Sequence, residues 1–138
     1  MARLLVGERN WEHRALLKEI FSRQAPSMVV DFVANGEDVL RYLAEQAPHN
    51  QPILIVLDPA LPSIFPSSLV RLIKADSRFA KIPIVILADQ AGADYYSLRS
   101  TGLVARSFMK PSLATGWEML ANRIIELTLE TKTENGTA

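Results

Sequence analysis

Ile53-Leu54-Ile55-Val56-Leu57-Asp58-Pro59-Ala60-Leu61-Pro62 is the stretch on which the reading of this chain turns. Five consecutive apolar residues bounded by prolines describe a strand buried on both faces. Such strands belong to parallel sheets covered by helices. Asp58 ends the run. Open α/β folds gather their ligands outside the carboxyl ends of the strands, so this placement makes an ordinary Asp a candidate reactive group.

Upstream, residues 4–7 form a short apolar strand candidate. Leu16, Leu17, Ile20 and Phe21 then recur at helical spacing within residues 11–23. Residues 28–33 are β-branched and aromatic and read as a second strand. Asn35-Gly36 marks a turn, and Val39, Leu40 and Leu43 put one apolar face on a helix ending near Ala47. Downstream, Pro66 opens a helix carried by Leu69, Val70, Leu72 and Ile73, a place where proline is tolerated. Residues 82–87 give a fourth strand with Pro83 near its start. Residues 91–100 predict a weaker helix anchored by Tyr95 and Leu98. Residues 104–109 predict a fifth strand. Residues 113–129 predict the last helix, with Trp117, Leu120, Ile124 and Leu127 or Thr128 along one side.

Five strands alternating with five helices imply right-handed βαβ crossovers and a doubly wound parallel sheet with helices on both faces. The strands at 53–57 and 82–87 are the most apolar and belong at its centre. The domain is read as residues 1–130, followed by a frayed polar tail over 131–138.

Composition narrows the function. The chain has 138 residues, enough for one domain with its own core. Fifteen basic and fifteen acidic residues cancel, which argues against a nucleic-acid footprint. The absence of cysteine excludes disulfides, thiolate zinc sites and cysteine nucleophiles. The N-terminal apolar stretch is too short for a signal peptide, and no run approaches a membrane span. A cytoplasmic protein is the expectation.

Three strand ends converge on one rim. The first contributes Glu8, Arg9 and Asn10, the third Asp58, and the fifth Lys110 followed by Pro111. A carboxylate opposite a lysine suits phosphoryl transfer, because the carboxylate attacks phosphorus while a cation neutralises the phosphoryl oxygens. Neighbouring acidic residues usually hold magnesium for the same task.

These residues resemble the receiver domain of two-component response regulators, a flavodoxin-like fold of five strands. Asp58 with Pro62 matches the phosphoacceptor strand. Lys110-Pro111 matches the pair after the last strand. The spacing from Asp58 through Ala88 to Lys110 matches without a gap, and residues 35–40 resemble the start of the second helix. The resemblance spans residues 3 to about 129. It implies that Lys110 partners Asp58 and that a turn is fixed at Pro111, where a cis bond is allowed.

The departures are as specific. The family carries two adjacent acidic residues after its first strand, and here Glu8 is followed by Arg9 at the position that usually ligates the metal. The Thr or Ser that ends the fourth strand is Ala88. The aromatic switch position is Ser107, with Phe108 beside it. The loop after Asp58 has Ser63 and Pro66 in place of the usual glycines. If Mg²⁺ binds, Glu8, Asp58 and the Ala60 backbone are the ligands that the resemblance leaves.

Replacing a carboxylate by a guanidinium changes the local charge by two units. Charges ~4 Å apart interact by roughly 4 kcal/mol at an effective dielectric of 20. Arg9 therefore competes with Mg²⁺ for Asp58. The expectation is that Arg9 and Lys110 flank Asp58, keep it ionised and partly stand in for the metal. The alternative has Arg9 in solvent, paired with Glu12. His13 and His49 read as surface residues, and Trp117, Met119 and Leu120 as core and interface of the last helix. Tyr95 and Tyr96 are expected to be partly exposed.

The resemblance implies a stand-alone receiver, not an enzyme, that docks to a histidine kinase or phosphotransfer protein and to a downstream protein. By resemblance, the face of the fourth helix, fifth strand and fifth helix is its docking or homodimer surface. The alternative is a pseudo-receiver with the same surface and no regulated, Mg-dependent phosphorylation. An aspartate-nucleophile phosphatase would need a second Asp where Ala60 stands. A flavin carrier would need a Ser/Thr/Gly-rich loop where Glu8-Arg9-Asn10-Trp11 stands. Neither nucleic acid nor membrane is expected as a partner.

Overall fold

The computed structural model describes residues 2–136. Its strands are β1 (Arg3–Gly7), β2 (Val29–Val33), β3 (Leu54–Leu57), β4 (Ile84–Ala88) and β5 (Arg106–Met109). Its helices are α1 (Trp11–Gln24), α2 (Gly36–Glu45), α3 (Pro66–Ala75), α4 (Ala93–Ser100) and α5 (Ala114–Gly136). All five strands are parallel in the order β2-β1-β3-β4-β5. The apolar run ending at Asp58 is thus the central strand, with β4 beside it.

Alternate residues of each strand face opposite layers, as the period of 2 requires. Leu5, Ile55, Leu57, Ile84 and Ile86 pack against α2, α3 and α4, through residues such as Val39, Leu43, Leu69, Ile73 and Leu98. Leu4, Val6, Leu54, Val56, Val85 and Leu87 pack against α1 and α5, through Leu17, Ile20, Phe21, Trp117, Leu120 and Ile124. β3 and β4 are buried throughout because both their faces are covered. The chain leaves β1 for one edge and returns at β3 towards the other. That reversal opens a crevice at the carboxyl ends of β1 and β3, where Glu8 and Asp58 stand.

Some local expectations are revised. Asn35 caps α2, accepting the Asp38 N–H at 2.8 Å, and Gly36 is already helical. No peptide bond among the described residues is cis, so Lys110–Pro111 is trans. That is the form X–Pro bonds favour. Helix α5 continues past Leu129 to Gly136, so the segment read as a frayed tail is helical up to that point. Residues 137–138 lie outside the described residues. Glu130, Lys132 and Glu134 are good helix formers, and Thr131 bonds back to the Leu127 carbonyl. No helix among the described residues is long and apolar enough to cross a membrane.

Candidate functional site

The rim residues form one buried ion cluster. Lys110 Nζ donates to Glu8 Oε1 at 2.7 Å and to Asp58 Oδ2 at 3.0 Å. All three side chains are at most 3% exposed. β5 delivers Lys110, and its backbone N–H bonds the Ala88 carbonyl at 2.7 Å, which ties it to the end of β4. Asp58 Oδ1 accepts the Ala60 N–H at 2.8 Å. Asp58 thus has one oxygen on the loop after β3 and the other facing the cations.

Arg9 does not point away to Glu12. Its Nε lies 3.7 Å from Asp58 Oδ2, and its Nη2 donates to Asp89 Oδ2 at 3.3 Å. Asp89 also lies 3.5 Å from Lys110 Nζ through Oδ1. It follows Ala88 directly and was not singled out from the sequence. Its partner Arg9 is eighty positions away, and only the sheet order brings β1 and β4 to the same rim.

His13 is likewise not a free surface residue. Its ring lies 4.9 Å from the Trp117 ring, and its Nδ1 is 3.7 Å from Glu8 Oε1. α1 and α5 cover the same face of the sheet, which joins helices from opposite ends of the chain. His49 is exposed, as expected. Ala88 is fully buried and brings no hydroxyl. Phe108 packs into the α1–α5 layer, opposite the Ala88 side, so it does not fill the switch position left by Ser107. Tyr95 is buried, whereas Tyr96 and Met119 are exposed. In the loop after Asp58, Ser63 adopts φ of +79°, the left-handed conformation that glycine accepts freely. Its Oγ accepts the Glu37 N–H at 3.0 Å.

Gly116 is a second residue the sequence did not flag. A Cβ there would stand 2.6 Å from Pro111 Cβ. Helix α5 thus packs directly on the proline that follows Lys110. Glycine in a helix ordinarily costs about 1 kcal/mol against alanine. Here we expect the reverse: Gly116→Ala should destabilise by about 1–3 kcal/mol through overpacking. Urea denaturation measures this, and a stabilised variant would refute the close-approach reading.

The cluster is electrostatically strained at Glu8. Burial pushes its carboxyl up to about 7, against the pull of the Lys110 hydrogen bond, and the Asp58 charge adds to the rise. Its buried Oε2 has no hydrogen-bond partner among the described residues, so the charged carboxylate would be only half satisfied. Lys110 moves upward overall. Burial alone would lower it, but the Glu8 hydrogen bond and the Asp58 charge outweigh that. His13 is held below its usual range by burial and by the Lys110 charge.

These shifts set a pH dependence. Folded Glu8 holds its proton more tightly than unfolded Glu8, whose pKa is 4.5. The resulting stability is complete below pH 4.5 and is lost as pH rises through about 7. His13 acts in the opposite sense, losing stability as pH falls below its unfolded value of 6.5. Glu8→Gln removes the first contribution. Against that variant, the wild type should lose on the order of 1–2 kcal/mol between mildly acidic and mildly alkaline pH. Urea melts across pH test it, and superimposable profiles would exclude it.

No protein-family model matches this chain, and no curated protein matches it. Solved structures do. The phosphorylated cyanobacterial phytochrome response regulator RcpA aligns with 94% of this chain and 95% of its own, at 22% identity and a TM-score of 0.81. This is the receiver fold. The Mn²⁺-bound form of response regulator Rcp1 is similar at 19% identity, over 90% of this chain and 91% of its own, with a TM-score of 0.73. The receiver domain of sensor histidine kinase PA1611 from Pseudomonas aeruginosa PAO1, with magnesium in its active site cleft, is similar at 21% identity. It covers 88% of this chain and 95% of its own, with a TM-score of 0.70.

Two of these receivers hold a divalent metal, so the fit of such an ion here is a direct question. Asp58 Oδ2 already faces Lys110 and Arg9, and Oδ1 takes the Ala60 N–H. Glu8 Oε1 is taken by Lys110 and by the Asn10 N–H at 3.1 Å. Only Glu8 Oε2 is left free in the buried pair. Among the described residues no three acidic or histidine side chains are grouped to hold a metal ion. Magnesium demands near-octahedral oxygen ligation. This arrangement, with two cations among its carboxylates, does not fit it.

Proposed function

We propose that this chain is a receiver domain of two-component phosphorelay signalling, with Asp58 as phosphoacceptor. The observation that carries the reading is the buried Lys110–Asp58 bond at the β1–β3 crevice of a receiver fold. An Asp58 oxygen attacks the phosphorus of a phosphohistidine or acyl phosphate. The P–N or P–O bond breaks, and the leaving group departs with the electron pair. Lys110 neutralises the phosphoryl oxygens. The phosphodonor is a histidine kinase or phosphotransfer protein in the cytoplasm. The chain accepts and docks rather than turning over a substrate of its own. Exposed Tyr96 on α4 and Met109 on β5 support the α4-β5-α5 face as the surface for a downstream protein or a second copy.

A second reading, a pseudo-receiver without regulated phosphorylation, is favoured by one observation. Arg9 is at the metal-ligand position, 3.7 Å from Asp58. Incubation with acetyl phosphate, with and without Mg²⁺, followed by intact mass, separates the two. One added phosphoryl group, lost in Asp58→Asn, supports the working receiver. An unchanged mass under every condition overturns it in favour of the pseudo-receiver.

A further inference from the structure

We infer that Asp89 is a positioning residue: it holds Arg9 and Lys110 around Asp58 and ties that arrangement to the start of α4. In its signalling consequence the inference rests on the receiver reading. Three observations carry it.

Asp89 is the anion through which both site cations reach beyond the buried pair. It meets Arg9 at 3.3 Å and Lys110 at 3.5 Å through different oxygens. It is 43% exposed where Asp58 is 1% exposed, so it faces the solvent side of the cluster. The cavity over Asp58, about 140 Å³, runs between Arg9 and Asp89 and on to Gly92 and Tyr95.

Asp89 also stands at a loosely fastened junction. Ala88 offers no hydroxyl by which the acceptor could hold the end of β4. α4 begins four residues later, after Gly92, and has no side-chain cap on its first turn. It is the shortest of the five helices, so its first turn depends on the loop that leads into it. The Arg9–Asp89 bridge is therefore a direct side-chain tie from the acceptor pocket to that loop.

The charges give the tie a direction. A phosphoryl group on Asp58 brings more negative charge and three acceptor oxygens to within reach of Arg9. Arg9 then exchanges Asp89 for the phosphoryl oxygens. The loop carrying Asp89, Gln90 and Gly92 is released, and α4 responds.

A mutant cycle on the unmodified protein tests the tie. Amide chemical shifts are compared for wild type, Arg9→Ala, Asp89→Asn and the double variant. Each single variant is expected to move the amides of Gln90, Gly92 and Ala93 and also those of Asp58 and Ala60. The double variant should shift them by less than the sum of the two, because the Arg9–Asp89 bridge is lost in both. Asp89→Glu should return Ala60 and Ala93 towards the wild type, a rescue that mere loop packing would not give. Additive shifts, or an Arg9→Ala spectrum unchanged at Gln90, Gly92 and Ala93, would overturn the inference. Asp89→Asn keeps the shape, and both residues are half-exposed, so folding is retained. Acetyl phosphate then supplies the second arm: on the phosphorylated protein the Arg9→Ala set of amides should move. A protein that never gains mass refutes the receiver reading, while non-additive shifts in the cycle still establish the Arg9–Asp89 tie. A phosphorylated protein with an additive cycle does the opposite.

Discussion

Arg9→Asp is expected to bind magnesium far more tightly than the wild type. The substitution removes the cation 3.7 Å from Asp58 and puts a carboxylate beside Glu8, a change of two charge units. At an effective dielectric of about 20 each unit would matter by roughly 4 kcal/mol. Arg9 is 51% exposed, so solvent screens most of that. About 2 kcal/mol survives the screening, or roughly a 30-fold gain in affinity. Arg9→Ala removes the repulsion without adding a ligand and should gain less. The measurement is a Mg²⁺ titration read by Trp11, which is exposed two residues from the substitution, and by amide shifts at Asp58 and Ala60. Wild-type saturation at low millimolar magnesium, or an Arg9→Asp titration no tighter than wild type, would show that Arg9 does not decide cation occupancy.

That outcome depends on features that differ in how plainly the sequence displays them. The central strand is legible because Ile53 to Leu57 is apolar without interruption and bracketed by prolines. Asp58 and Lys110 are legible because each closes a strand at the same rim. The charge at Arg9 is legible as a type, and its flanking position follows once β1 and β3 are neighbours. Asp89, His13 and Gly116 are not legible in this way. Each matters through a partner supplied by the sheet order or by helix packing: Arg9 across the rim, Trp117 on the facing helix, and Pro111 beneath α5. A polar residue after a strand, a histidine in a helix and a glycine in a helix carry no local mark of such partners. The end of α5 was hidden for another reason. Thr131 to Glu134 is polar enough to read as a tail, yet Lys132 and Glu134 favour helix and the Thr131 and Thr133 hydroxyls bond back to the preceding turn, so once α5 is nucleated by packing the helix carries on.

The second large effect is at Lys110. In Lys110→Met the carboxylates of Glu8 and Asp58, each 1% exposed, lose the ammonium that bonds both. Of these two carboxylates Arg9 reaches only Asp58, and only from 3.7 Å, so it does not replace that charge. Removing one member of a buried ion pair costs about 3–5 kcal/mol, a large share of the roughly 5–15 kcal/mol that holds a domain folded. The loss should itself depend on pH. Without the lysine hydrogen bond, which now holds it down, the Glu8 carboxyl rises further above its unfolded value of 4.5. A folded pKa raised in this way favours the fold in acid and stops doing so as pH climbs through it. Lys110→Met should therefore lose least stability in mild acid, where Glu8 carries its own proton, and most above neutral pH. Adding Glu8→Gln should recover part of the loss at alkaline pH and little in acid, because the amide removes the uncompensated charge. Urea denaturation of the two variants across pH decides the matter. A Lys110→Met deficit that is constant with pH, or that Glu8→Gln fails to relieve, would mean that the lysine acts by packing and not by balancing the two buried carboxylates.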